Sequence, residues 1–380
     1  MNRNDSIKIN KNDNSQDLIN LKSIRDPYGD DYSTFRKLPK KQREKIHRKH
    51  VRANSKKSYV FANKASSIFA SIMRYALLIC LGYLILNPIF KMISTAFTAP
   101  TELGSPTSIW IPAKLSKEHL YMAFRAMNYN ATLPYTLFTV SIQVLLQLFS
   151  TMLAGYAFAR VDFKGKRLLF ILVILQIIVP AQAISLPQYL NFRNFDIFGL
   201  FKAITGQPLN LLNNPITLYI LAITGQGLKS GIFIYIFRQG FINLPKELED
   251  SAYVDGSGYL RTFFSIILPS AGSTLLTAAV LSFVWNWNDM YFVNMFASTP
   301  NNIMVKLNSA TASMDQTLNS LVRNIDGATA SQLELLVDSP LYKQAIADTM
   351  SLLTMIPVLV IYMVVQRWFI QSSTHAAVKG

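Results

Sequence analysis

Apolar residues in this chain gather into long uninterrupted windows instead of alternating with charges. No Asp, Glu, Lys or Arg occurs among the 34 residues between Arg125 and Arg160, the 25 between Arg167 and Arg193, the 27 between Arg261 and Asp289, or the 18 between Asp348 and Arg367. Two further windows carry one charge each: 66–90 holds Arg74, and 215–237 holds Lys229. A helix on the surface of a soluble protein keeps a charged face at a period of 3.6 residues, and the four uncharged windows have none. A hydrocarbon layer about 30 Å thick calls for about 20 mostly apolar residues per helix, because every backbone N–H and C=O must then be paired inside the segment. The pattern predicts an all-α, polytopic membrane protein with six transmembrane helices.

Charge gives the windows an orientation. Only 15% of the 380 residues are charged, yet the formal net charge is +16. Of the Lys and Arg residues, 26 lie in 1–65, 160–167, 238–262 and 367–380, and 8 lie in 92–130, 191–214 and 290–345. Basic loops stay on the cytoplasmic side, so both termini are expected there, in the plasma membrane of a bacterium. A signal peptide's apolar core follows a short basic head. Here residues 1–65 precede the first window, which is expected to stay in the protein, with Arg74 extending its head to the interface.

Residues 1–65 carry 17 basic and 7 acidic side chains. With so little apolar surface to bury they are expected to form a disordered basic cytoplasmic tail, distinct from a membrane domain over 66–380. Its densest part, Lys37 to Lys57, is placed to meet anionic headgroups at about 1 kcal/mol per basic residue. It lacks the interleaved aromatics of a nucleic-acid stacking platform, and no nucleic-acid partner is expected. Cys80 is the single cysteine, which excludes a disulfide scaffold or a Cys-based metal site within the chain, and the four histidines are scattered. The stretch 290–345 is long and polar, with a helix-like run from Ala330 to Val337; a loop of that length commonly has a function of its own or is disordered.

One polar connection, 243–262, has unusual local chemistry. Pro245 suits the first turn of a helix, Glu247, Glu249 and Asp250 place negative charge at its positive end, and Gly256 supplies a left-handed stop. Leu248, Ala252 and, on the flank, Tyr253 share one face. A short exposed helix with an apolar stripe and an acidic rim fits a groove on another protein; a solvated connector is the plainer alternative.

Glu249-Asp-Ser-Ala-Tyr-Val-Asp-Gly256, followed by Ile266-x-Leu-Pro269, resembles the E-A-A-x-x-x-G-x(9)-I-x-L-P loop of permeases from ABC importers. Leu244-Pro-Lys-Glu-Leu-Glu, Ala154-Gly-Tyr-Ala-Phe-Ala-Arg160, Val179-Pro180, Trp287-Asn-Asp289 and Ala377-Val-Lys-Gly380 are similar to the smaller permease of maltose-type and related oligosaccharide importers, over roughly 66–380. Asp250 stands where that family has glutamate, and Ser251 where it has the first alanine. The resemblance implies the type I ABC importer permease fold and a transport subunit rather than an enzyme. It implies a second homologous permease, two cytoplasmic ATPase subunits that bind ATP and magnesium, and an extracellular solute-binding protein. No cofactor is expected in this chain: its one Gly-Lys pair, Gly165-Lys166, is followed by Arg167 and makes no phosphate loop. The resemblance assigns Asp250, Ala252 and Gly256 to ATPase coupling and makes carbohydrate the expected cargo; Leu248 and Tyr253 join the coupling set as neighbouring contacts from the face they share, and Glu249 as the first residue of the motif. Alternatives are a non-sugar solute such as glycerol phosphate, or an ATP-independent secondary transporter or channel.

Three intramembrane residues complete the candidate set. Pro180 and Pro269 interrupt backbone hydrogen bonding and are expected to bend their helices. Lys229 lies nine residues before Arg238, about 13 Å along a helix, at a depth where a lysine costs on the order of 2.5–3.5 kcal/mol. Either a role in the transmembrane pathway or a structural pairing with a carbonyl or carboxylate would account for it.

Overall fold

The computed structural model describes residues 39–105, 110–299, 301–323 and 336–378. Contacts divide the chain between Ile85 and Leu86 into two units. In the first, the described chain is one run of helix, the body of α1 (Lys40–Phe97). Residues 40–65, expected to be unstructured, are therefore helical. Lys, Arg and Glu are strong helix formers, and a helix already nucleated in apolar sequence extends into them without a second nucleation cost. Residues 1–38 lie outside the described residues. From Ile68 to Leu84 the large apolar side chains of α1 are exposed around the helix, the surface a rod surrounded by lipid requires.

The second unit is built around α3 (Tyr129–Arg160), preceded by α2 (Glu118–Ala126). After it come α4 (Lys166–Ile178), α5 (Gln182–Arg193), α6 (Leu200–Thr205), α7 (Ile216–Ile223), α8 (Ser230–Ile242), α9 (Glu247–Val254), α10 (Tyr259–Ser270) and α11 (Gly272–Trp287). The chain ends with α12 (Tyr291–Phe296), α13 (Ile303–Ala312), α14 (Met314–Val322) and α15 (Pro340–Val378). Thus much of 290–345 is helical; residues 330–335 of its expected helix-like run lie outside the described residues.

The six expected crossings take three forms. Ser67–Phe97, Tyr129–Arg160 and Pro340–Arg367 are continuous helices long and apolar enough to span a bilayer. Two more are bent pairs: α4 and α5 meet at 102°, and α10 and α11 at 79°. Pro180 lies in the first break. In α10 the helix widens into a π turn over Phe263–Ile267 just before Pro269, since a proline ring has no N–H to give and crowds the carbonyl four residues back. The fourth expected crossing is not one helix. It consists of α7 and α8 with a break at 224–229, where Gly225 and Lys229 take left-handed φ angles of 72° and 57°.

Packing explains why α3 is central. Val140, Val144, Leu148 and Met152 meet Phe233, Phe237 and Phe241 of α8 and Phe263 and Ile267 of α10 in one buried cluster. Gly155 permits a close approach of α8: a Cβ there would lie 2.5 Å from Cβ of Phe237 and 3.0 Å from the amide nitrogen of Arg238. At the other end of α3, Thr136 Oγ1 accepts from the Ile303 amide of α13 at 2.9 Å, Tyr129 donates to the Leu353 carbonyl of α15 at 2.9 Å, and Trp287 donates to the Thr354 carbonyl at 3.1 Å. A smaller cluster, with Phe192, Leu218, Leu221, Phe292 and Phe296, joins α5, α7 and α12.

Gly155→Val is expected to force α3 and α8 apart and destabilise the protein by about 1–3 kcal/mol, seen as a lower unfolding temperature of the detergent-solubilised chain. Gly82→Val, where an added Cβ meets nothing within 4 Å, should leave that temperature nearly unchanged.

Candidate functional site

The segment singled out in 243–262 folds as a two-turn helix. Its first turn starts at Glu247, with Lys246 at the N-cap, so Pro245 lies just outside the helix. The amides of Glu249 and Asp250 both donate to the Lys246 carbonyl, and Glu247, Glu249 and Asp250 sit in the first turn where the helix dipole favours negative charge. Gly256 closes the other end at φ 77°: its amide donates to Tyr253 O at 3.0 Å, and that of Ser257 to Ala252 O at 2.9 Å. This paired arrangement needs a left-handed residue, which glycine adopts without a Cβ penalty.

The helix has an inner and an outer side. Glu249 and Ala252 are buried against this chain itself and Leu248 is half-buried, whereas Asp250, Ser251, Tyr253 and Asp255 are exposed. Ala252, expected to let another protein approach, is thus covered by its own chain, α9 packing on the π turn of α10. Glu249 is not part of an acidic rim either. Its Oε1 lies 3.3 Å from Nε of Arg160, the last residue of α3, with both side chains nearly enclosed. Neither of these two atoms has the alignment of a hydrogen bond, so the contact is one of charge. Arg160 also donates from Nη2 to the Leu244 carbonyl at 2.5 Å, tying the chain entering α9 to the end of α3. Burial pushes the Glu249 carboxyl above its usual value, Arg160 pulls it down, Asp250 raises it and Lys246 lowers it. Beyond α9 the outer surface continues through Val254 (87% exposed), Tyr259 and Leu260.

The second feature is the α7–α8 break. Gln147 of α3, fully buried, donates from Nε2 to the Leu228 carbonyl at 2.6 Å and to Ser230 Oγ at 3.0 Å. Its Oε1 accepts from Ser282 Oγ at 2.8 Å and from Asn286 Nδ2 at 2.9 Å, and Gln143 donates to Asn286 Oδ1 at 2.8 Å. One turn away, Ser150 donates to the Ala222 carbonyl at 2.7 Å. Beside this network lies an open cavity of about 270 Å³, close to the lower end of small-molecule sites. Its wall includes Gln176, Gln188, Gln226 and Lys229, and Pro180 lies in the adjacent bend. Lys229 forms no ion pair among the described residues; its Nζ sits 4.5 Å from the centre of the Trp285 ring. The structure therefore places Lys229 at the break and cavity, and places the 248–256 set separately at the Arg160 end of α3.

Comparison with known proteins matches residues 148–375 to the binding-protein-dependent transport system inner membrane component family. The chain belongs to this family. It is the permease component of an ABC importer and a membrane protein. It is 28% identical over 308 residues to the arabinooligosaccharides transport system permease protein AraQ of Halalkalibacterium halodurans, spanning 79% of this chain and 93% of that one. The melibiose/raffinose/stachyose import permease protein MelC of Bacillus subtilis is 26% identical over 296 residues, 77% of this chain and 91% of its own. A crystal structure of a bacterial ABC transporter involved in the import of the acidic polysaccharide alginate contains a chain of the same fold. Its TM-score is 0.59 at 18% identity, covering 80% of this chain and 98% of that chain.

Two elements of the permease site escaped the sequence. Arg160 and Glu249 are 89 positions apart, with no local sign that they meet. Gln143 and Gln147 did carry a signal, polar residues one turn apart in an uncharged window, matched by Ser282 and Asn286 at the same spacing.

Gln147→Leu should leave the Leu228 carbonyl, Ser282 and Asn286 short of partners and cost on the order of 1–3 kcal/mol, measured as a lowered unfolding temperature and faster hydrogen exchange over 224–231. For Glu249, burial outweighs Arg160, so the carboxyl titrates above the usual range and the folded state holds the proton more tightly. The seat of α9 is therefore firmest in acid and loosens as pH rises through the raised value. Arg160→Gln should move that loosening to higher pH and Glu249→Gln should abolish it, as read by exchange of the α9 amides after correction for intrinsic rates.

Proposed function

We propose that this permease imports carbohydrate, with two cytoplasmic ATPase subunits supplying the energy through α9. The observation that carries the cargo is similarity over more than nine-tenths of two relatives named for oligosaccharide uptake. ATP and magnesium belong on the ATPases; this chain contributes no phosphate loop. A second homologous permease completes the pathway, and a solute-binding protein outside the cell delivers the sugar. Both termini lie in the cytoplasm, as the 26 to 8 distribution of Lys and Arg favours, which puts α9 on the ATPase side.

The ATPase covers the outer side of α9 and the start of α10: Asp250 and Tyr253, then Val254, Tyr259 and Leu260. Ala252 and Gly256 shape the helix from within, Leu248 lies between the two sides, and Glu249 fixes it to α3. As the ATPases close on nucleotide, α9 moves with them. Arg160 draws α3 along, and the π turn before Pro269 carries the displacement into α10. Pro180 bends a further crossing beside the cavity, with Lys229 facing the solute path.

Val254→Asp introduces charge on a side chain that is almost wholly exposed, so the fold should persist while co-purification of the ATPase subunit falls. Gly256→Pro cannot hold φ 77° and should abolish it. Undiminished ATPase binding by both variants, or accumulation of labelled arabinotriose and raffinose in vesicles holding this chain without an ATPase, would overturn the proposal.

A further inference from the structure

We propose that the cavity at the α7–α8 break is a subsite for an anionic group, carboxylate or phosphate, on the transported sugar, with Lys229 as its counter-charge. This rests on the carbohydrate reading and narrows its cargo to acidic sugars. Helices α4, α5, α7, α8 and α11 supply no acid: no Asp or Glu occurs in 163–195, 197–246 or 262–288. The next acid along the chain, Asp289, accepts from the amide of Phe292, which lines the cavity from α12, and forms no ion pair with Lys229 among the described residues. Among the described residues Lys229 is thus an exposed cation at the open cavity with no ion-pair partner, in a segment where its insertion is unfavourable. The Trp285 face offsets part of that. A ring meets only one side of an ammonium, which has three N–H donors to place, and the remaining donors are free for a ligand.

The backbone explains why the lysine stands there. At φ 57° Lys229 occupies a conformation that a non-glycine residue rarely adopts, immediately before the first residue of α8. The 13-residue α8 adds the positive end of its dipole at the same place. Gly231 lets α4 close over the start of α8, since a Cβ there would lie 3.0 Å from the Val173 carbonyl. The glutamines supply the complementary chemistry for hydroxyls. Gln176 is held by the Gly225 carbonyl at 3.0 Å, and Gln188 donates to Gln226 Oε1 at 3.1 Å, which leaves the Gln226 amide nitrogen as a donor on the wall. A neutral sugar would use only these amides. A sugar with a carboxylate or phosphate would use the lysine as well and relieve its isolation.

The test is uptake by cells expressing the complete importer, given three labelled probes in parallel: trigalacturonate, its fully methyl-esterified neutral counterpart, and a trisaccharide bearing one phosphate. Wild type should accumulate trigalacturonate or the phosphorylated sugar in preference to the ester, the preferred probe identifying the group. Lys229→Gln should cut that preference about tenfold, the scale of one lost charge-assisted hydrogen bond, and Lys229→Arg should retain it. The binding protein is the same in every strain, so a change in the ratio belongs to the permease. Co-purification of the ATPase with both variants confirms assembly. A ratio unchanged by Lys229→Gln, or a wild-type preference for the ester, overturns the subsite. Uptake of arabinotriose with none of the three probes overturns the subsite and leaves the carbohydrate reading standing, whereas uptake of none of the four overturns both.

Discussion

Within lipid a broken helix must find partners for its freed backbone groups inside the protein, and in this chain one face of α3 supplies them. Gln143, Gln147 and Thr151 recur every four residues along that helix, with Ser150 beside them, and each is held in a defined hydrogen bond. Gln147 alone meets a carbonyl of the break, the first side chain of α8 and two side chains of α11. Individual interhelical hydrogen bonds in membranes average only about 0.6 kcal/mol, so the network's main effect is positional. It leaves the break one arrangement in which the polar groups of α3, α8 and α11 are all occupied.

The Arg160–Glu249 contact works by the same logic at the end of α3. An exposed pair of this kind contributes about 0–1 kcal/mol and would not hold a two-turn helix in place. Enclosed as it is, the pair is costly to break, because removing one partner strands a buried charge at about 3–5 kcal/mol. At Glu249 desolvation outweighs what the contact with Arg160 gains, as the upward pull on its carboxyl records. What it contributes is a fixed position for α9 relative to α3, reinforced by the bond from Arg160 to the Leu244 carbonyl.

Long-range composition carried much of this architecture in the sequence, and local conformation carried little of it. The uncharged windows located the apolar segments because lipid tolerates few charges in any sequence context. Pro180 and Pro269 marked bends because a missing N–H is a property of the residue itself. By hydropathy the window 215–237 runs continuous, because hydropathy does not register backbone angles; Gly225, Gly227 and Gly231 suggest close packing or a local break there, but the left-handed turn at Lys229 is stabilised by Gln147 from another helix. The inward face of α9 was misjudged for a related reason. Glu249 and Asp250 are chemically alike and adjacent, and only the position of Arg160 decides that one is buried and the other faces outward. The helical extension of α1 through 40–65 departs from the expectation drawn from its scarce apolar surface, since lysine favours helix as readily as it disfavours a packed core.

Both features lie on one helix, and that constrains how they can be connected. Gln147 and Arg160 are 13 residues apart on α3, about 20 Å at the rise of an α-helix, with no break between them. Gly155, between them, brings α8 to where an added Cβ would lie 2.5 Å from Cβ of Phe237, so the two helices pack closely along this stretch. A displacement entering at α9 through Arg160 therefore has a stiff route to the hydrogen bonds at Leu228 and Ser230, the residues flanking Lys229. The route through α10 is softer, since it passes a π turn and a 79° bend before reaching α11 and Asn286. Two routes of unequal stiffness that converge on the same glutamine shear the network rather than carry it as a block. That shear falls on the turn at 224–229, which α3 and α4 hold through single side chains, Gln147 on the Leu228 carbonyl and Gln176 on the Gly225 carbonyl.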